Sequence, residues 1–200
     1  MRFLSLRTVL LLTALTSGLT SANLYAATKH APAQHAPAKK APSGQKVSML
    51  GGKFVFYVPK EYVKGPMPEI DDKAKAAGVT GSLYMNKPAK RVIIITEAPL
   101  SADTKVAPND KKTLDGLVTD TLEQQKTSYK NFKKLGEKAM VRKGLGLRQL
   151  DIAGDVEGGR VISSTVAAAS GKRTAMVNVI SLEKDTKDHT ALLKSITGSK

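Results

Sequence analysis

Four strand-like runs separated by glycine turns, at 132–142, 145–153, 160–169 and 173–182, constrain this chain more tightly than any other feature. The breaks between them are Lys143-Gly144, Glu157-Gly158-Gly159 and Ser170-Gly171-Lys172. Connections this short join neighbouring strands only when the strands run antiparallel. The second half of the chain is therefore predicted to be a meander.

Further strands precede it. Val47 to Leu50, Gly51-Gly52 and Phe54 to Val58 read as strand, turn, strand, with Phe54, Phe56 and Val58 on one face and Val55 and Tyr57 on the other. Residues 60–78 contain glycine and proline breaks and read as loop with a short helix. Gly81 to Asn86 and Arg91 to Thr96 read as strands. The apolar β-branched run Val92-Ile93-Ile94-Ile95 predicts a strand buried on both faces. Ile94, Val177, Val179 and Leu193 are the expected core.

Two helices complete the pattern. Pro108-Asn109-Asp110 opens the first, with Leu114, Leu117, Val118, Leu122 and Gln125 at helical spacing and an end near Tyr129. The second starts at Asp185 as cap with Asp188 three residues on, and His189, Leu192, Leu193 and Ile196 form its inner stripe. Strands and helices are segregated along the chain. That order predicts an α+β fold, a mainly antiparallel sheet with two principal helices packed on it.

The N-terminal region carries an address. Arg2 and Arg7 precede the short apolar run Val9 to Leu15, and small residues follow to Ala27. This is the pattern of a secretory signal peptide over 1–26, too short to span a bilayer. Cleavage is expected after Ala26, or after Ala22. Ala27 stands where a lipoprotein needs its acylated cysteine, so the mature protein is expected to be periplasmic or secreted and not lipidated. Residues 27–46 are an Ala/Pro/Lys/His segment, predicted to be a disordered tether, and a single domain occupies 47–200.

The formal net charge is +15; without the two signal arginines and the tether's four lysines it is +9. A basic exported domain points to anionic surroundings, or simply to solubility. The absence of Cys removes disulfides and thiolate chemistry, and the absence of Trp removes an indole-lined pocket. The densest charge is Lys126, Lys130, Lys133, Lys134, Lys138, Arg142 and Lys143, joined by Arg148 and opposed by Glu137. These are the candidate binding residues, as one basic edge. Nucleic acid is not the expected partner, because export argues against it and Tyr129 and Phe132 read as core. His30 and His35 in the tether are the candidate metal ligands, though two imidazoles on a flexible segment bind weakly. No resident cofactor is expected.

Catalytic signatures fail in detail. Gly171-Lys172-Arg173-Thr174 lacks both the first glycine and the magnesium-holding hydroxyl of a phosphate loop. Gly144-Leu145-Gly146 has no third glycine. Asp71-Asp72 and the group Asp151, Asp155 and Glu157 are the carboxylates available for calcium, and the second group reads as a solvated turn. His189 is the domain's sole histidine, and no Gly-x-Ser-x-Gly elbow exists to present a serine to it, so it reads as a packed side chain.

Leu50-Gly-Gly-Lys-Phe-Val-Phe-Tyr-Val-Pro59, the strand at 91–96, Leu122-Glu-Gln-Gln-Lys126, Arg148-Gln-Leu-Asp151 and Gly159-Arg-Val-Ile-Ser-Ser164 together resemble the DcrB family of bacterial envelope proteins. The resemblance covers about 47–197. It implies a PsbP-like fold used mainly by accessory proteins, and it transfers no catalytic residue. This chain departs from it by lacking the lipid-bearing cysteine and by adding the His-containing tether. The expected function is a non-enzymatic envelope protein that binds another envelope protein or an anionic component. The alternatives are a metal-handling periplasmic protein and a hydrolase built on carboxylates and His189. N-terminal sequencing of the exported form is expected to begin at Ala27 or Asn23; an exported form that still begins at Met1 contradicts the address.

Overall fold

The structure is a computed structural model that describes residues 44–67, 70–101 and 103–199. The signal region, the tether to residue 43, and with them His30 and His35, lie outside the described residues. The strands are β1 (Gln45–Met49), β2 (Phe54–Val58), β3 (Val63–Gly65), β4 (Thr80–Asn86), β5 (Arg91–Pro99), β6 (Lys130–Arg142), β7 (Leu145–Val156), β8 (Gly159–Ser170) and β9 (Arg173–Leu182). The helices are α1 (Asp72–Ala76), α2 (Lys111–Ser128) and α3 (Thr186–Thr197). Strands β3 to β9 form one antiparallel sheet in the order β3-β4-β5-β9-β8-β7-β6, and β1 and β2 form a separate hairpin. The fold is thus α+β with two main helices, and every turn of the predicted meander is present.

Cross-strand partners share a face, so the register assigns each side chain to a side. On one side, β2 and α3 close over the sheet. Phe54, Phe56 and Val58 of β2 join Leu192, Leu193 and Ile196 of α3, and both pack on Ile93, Ile95, Leu145, Leu147, Val166, Val177 and Val179. On the other side, α2 lies over β6, β7 and β8. Val118 and Tyr129 there meet Leu150, Ile152, Val161 and Ile180. Gly154 sits beneath the end of α2, where a Cβ would lie 2.6 Å from that of Tyr129, so glycine permits the close approach.

Helix starts follow local chemistry. Asp110, the last residue of the expected Pro108-Asn109-Asp110 start, accepts from the Thr113 amide at 2.8 Å and caps α2. Asp185 makes no side-chain cap; a 3-10 turn over Glu183–Asp185 leads into α3 instead. Asp188 is turned toward β5, where it meets Arg91 at 3.4 Å. The segment read as loop contains β3 as well as α1, and β3 has only three residues, too short to show a period.

The other departure is at β5. Ile93 is fully buried and Ile95 nearly so, but Val92 and Ile94 are half-buried. Strand β5 is an interior strand that the described residues close fully on one face only; on the other, Val92 and Ile94 pack at the margin of the cluster around Val118 and stay half-buried. Among the described residues no helix is long and apolar enough to cross a membrane. Ile93→Ala is expected to cost roughly 2–5 kcal/mol, and Ile94→Ala clearly less, about 1 kcal/mol. Urea unfolding of the two variants checks the asymmetry; equal losses contradict it.

Candidate functional site

Strand β6 is one edge of the sheet, with β7 its sole partner among the described residues. An exposed edge offers unpaired backbone groups to other chains, and lysines along it discourage indiscriminate pairing. The strand is not regular. Its register against β7 shifts between Lys130 and Lys133 and again between Lys134 and Gly136, and Asn131 takes φ +46° within the first irregularity.

These shifts sort the basic residues. Lys130, Lys133 and Lys138 stand opposite Asp155, Ala153 and Gln149, all on the α3 side of the sheet. The span from Asp155 to Gln149 puts about 20 Å between the first and last of these lysines. All three are exposed and have no ion-pair partner among the described residues. Lys134 falls on the α2 side and pairs with Glu137 at 2.9 Å. Lys126 stays on α2 and pairs with Glu123 at 2.6 Å. Arg142 is half-buried and donates to the Ile196 carbonyl at 2.5 Å, supporting the C-terminus of α3 just before Gly198 closes it at φ +72°. Lys143 occupies the β6–β7 turn with φ +49°. Arg148 donates to Asp115 of α2 at 3.0 Å. The seven candidates therefore do not form one surface: three share a face, and Arg142, Lys126 and Lys134 have structural partners.

The carboxylates are likewise engaged. Asp155 accepts from Asn131 at 2.5 Å and Arg160 at 2.9 Å, and these bonds hold its carboxyl below the ordinary value. Asp71 caps α1 through the Ala74 amide at 2.7 Å, and Asp72 pairs with Lys75 at 3.0 Å. A concavity of about 690 Å³ beside α1 is lined by Met67, Ile70, Asp72 and Lys75. Among the described residues no three His, Cys, Asp or Glu side chains gather for a metal. Arg173, in the segment resembling a phosphate loop, bonds Glu97 and the Gly78 carbonyl. Gly144-Leu145-Gly146 lies at the β6–β7 turn.

One further constellation joins residues far apart in the sequence. His189 of α3 is buried, with its Nε2 2.8 Å from Ser164 Oγ and its Nδ1 2.9 Å from Ser181 Oγ. Ser164 Oγ donates to Asp151 Oδ1 at 2.5 Å, and Gln149 Nε2 donates to both oxygens of the same carboxylate. Asp151 therefore belongs to a strand and not to a solvated turn. The protonation pattern follows from the donors. Ser164 spends its one proton on Asp151, so it accepts from His189 Nε2–H, and Nδ1 then accepts the Ser181 hydroxyl. The imidazole nitrogen beside Ser164 already carries a proton, so it cannot take another from that serine. In a catalytic triad the carboxylate instead orients the histidine, which leaves its other nitrogen free as base. Ser164 is also buried. Burial lowers the His189 pKa from 6.5 to about 4, with Asp151 pulling it up and Arg91 pushing it down. The signal that points to this group is the inner-stripe position of His189; its partners become visible only once the strand register is known.

With this geometry in place, the comparisons with known proteins concern the fold. No protein-family model matches the sequence, and no curated protein matches it. The solution structure of cyanobacterial PsbP (CyanoP) from Synechocystis sp. PCC 6803 superposes with a TM-score of 0.55 at 9% identity, over 82% of this chain and 96% of that one. PA94 from Pseudomonas aeruginosa, a protein of unknown function and putative regulator, gives 0.43 at 11% identity over 80% and 96%. LpqN, involved in cell envelope biogenesis of Mycobacterium tuberculosis, gives 0.44 at 16% identity over 72% and 79%. The fold is PsbP-like.

The buried neutral imidazole has a consequence for stability. As pH falls, the unfolded chain takes up a proton near 6.5 that the folded chain refuses until about 4. Its contribution is fully present above pH 6.5 and is lost as pH falls toward 4, by about 3 kcal/mol in all. Urea unfolding between pH 7 and 4 is expected to show this slope, and His189→Gln is expected to flatten it. The same slope in both proteins contradicts the neutral imidazole.

Proposed function

We propose that this chain is an exported, non-enzymatic accessory protein of the bacterial envelope, akin to the DcrB family, that holds an extended anionic envelope component on the lysines of β6. The observation behind this reading is the row Lys130, Lys133 and Lys138, on one face of an edge strand and without carboxylate partners among the described residues. Each such ammonium keeps its full attraction for an outside anion, because no internal ion pair must first be broken. Spread over about 20 Å, the row suits a surface of headgroups or a charged polymer better than a single phosphate. Export supports the reading, because the basic n-region and short apolar run would bring the domain to such anions. The neutral His189 supports the non-enzymatic part, because it is arranged as a donor to Ser164 and not as its base.

The test is cosedimentation with phosphatidylglycerol vesicles and with a soluble polyanion, at about 50 mM and about 300 mM salt, where screening differs strongly. Binding is expected to weaken steeply with salt. The variant Lys130→Glu, Lys133→Glu, Lys138→Glu is expected to lose roughly tenfold or more, about 1.4 kcal/mol, while each exposed change shifts stability by only about 0.5 kcal/mol. Charge reversal at Lys126 and Lys134, which are already paired, is expected to matter less. Equal binding by the wild type and the triple variant at both salts sinks the reading.

A further inference from the structure

The face of the sheet that carries α2 is only half covered. Helix α2 lies over β6, β7 and β8 and reaches β9 at Ile180, and among the described residues no helix covers β5, β4 and β3 beyond it. The register assigns Leu83 and Met85 of β4, Val92, Ile94 and Thr96 of β5, and Met176, Asn178, Ile180 and Leu182 of β9 to this side. Val63 of β3 stands opposite Met85 and is 69% exposed. All of these except Ile180 and Val63 are half-buried, although several are large and apolar. None of them is charged, in a chain that is 24% charged. The opposite side of β5, by contrast, holds Arg91 and Glu97.

The patch is bounded on two sides. Helix α2 forms one wall. At the other end Met67 and Ile70 fold over Gly81, where an added Cβ would lie 2.5 Å from Met67 Sδ and 2.4 Å from Ile70 Cδ1. The remaining floor, about three strands wide, has an area on the order of 400 Å². This explains the sequence of β5. Val92-Ile93-Ile94-Ile95 is the pattern of a strand buried on both faces, and the described residues bury only one of them fully.

We propose that this bare half-face docks an amphipathic helix of a partner protein, laid beside α2, with an apolar stripe toward the sheet and an acidic outer face. Thickness and charge argue for that occupant. A helix is about 10 Å across, and strands are about 4.8 Å apart, so one more helix fills the layer that α2 half fills. A second copy of this chain fits badly. Its own α2 stands proud of the same face and presents Asp120, Glu123 and Lys126, all exposed, toward the uncharged floor. A stable dimer also needs about 800 Å² per partner, roughly twice what the floor offers. At the open end of the floor, Lys87 and Lys90 in the β4–β5 turn are exposed and lack ion-pair partners among the described residues, and the domain's charge is positive. An acidic helix is attracted there and a basic one repelled. The proposal does not depend on the β6 lysines.

The probe is a synthetic amphipathic helix of α2's own length, 18 residues, with a leucine stripe and glutamates elsewhere, beside the same peptide with lysines. It is titrated into methyl-labelled protein and followed by NMR. The expected result is saturable shifts at Val92, Ile94, Met85 and Met176, with the glutamate peptide binding at least tenfold more tightly. Ile94→Lys and, as a second variant nearer the sheet edge, Met85→Glu are each expected to weaken binding tenfold or more. The triple β6 charge reversal is expected to leave it unchanged, so failure here and failure of the anion-binding reading are distinguishable. Absence of shifts, shifts centred elsewhere, or equal binding of the two peptides overturns the proposal. So does sedimentation showing a dimer that Ile94→Lys dissociates, which would assign the face to a second copy.

Discussion

Everything in this molecule depends on the closure of one sheet face by β2 and α3. Phe54, Phe56 and Val58 descend from the hairpin, Leu192, Leu193 and Ile196 from the helix, and both sets meet on Ile93, Val177 and Val179. Burying each such side chain is worth about 1.5–3 kcal/mol. The closure uses the N-terminal hairpin and the C-terminal helix together, so both ends of the domain are tied to one layer. The rest follows by subtraction. With β2 and α3 committed there, α2 is the one long helix among the described residues left for the other face, and it covers β6, β7 and β8 and reaches β9 at Ile180.

The same closure fixes the interior polar chemistry. His189 lies on the inner stripe of α3, so packing Leu192, Leu193 and Ile196 carries the imidazole into the sheet. Ser164, Ser181 and, through Ser164, Asp151 then satisfy it. A buried polar group without such partners would cost about 1–3 kcal/mol, so the network ties α3 to β7, β8 and β9 in one rotation. Arg142 does comparable work at the helix C-terminus, which is why it is unavailable to a partner.

How much was legible in the sequence depended on whether a feature is local. The meander turns were legible because glycines between strand-like runs are local, and the helix start at Pro108-Asn109-Asp110 was legible for the same reason. Strand β3 was not, because three residues ending in Gly65 carry no period. The charge density of β6 was legible, but its division between faces was not. Strict alternation groups Lys130, Lys134 and Lys138; two register shifts group Lys130, Lys133 and Lys138 instead. Ser164 and Asp151 were invisible as partners of His189, because they are joined by strand register across the meander. The run Val92 to Ile95 misled because its composition describes a strand covered on both faces, and the described residues close only one of them fully.

The central claim is that the sheet is closed on one face and half open on the other. A water-soluble paramagnetic agent added to the free, methyl-labelled protein tests it residue by residue along β5. The account predicts that the methyl signals of Val92 and Ile94 broaden strongly, with those of Met85 and Met176, while Ile93, Ile95, Val177 and Val179 stay sharp. Equal protection of Val92 and Ile94 with Ile93 and Ile95 would contradict it, because the second face would then be closed in the free protein.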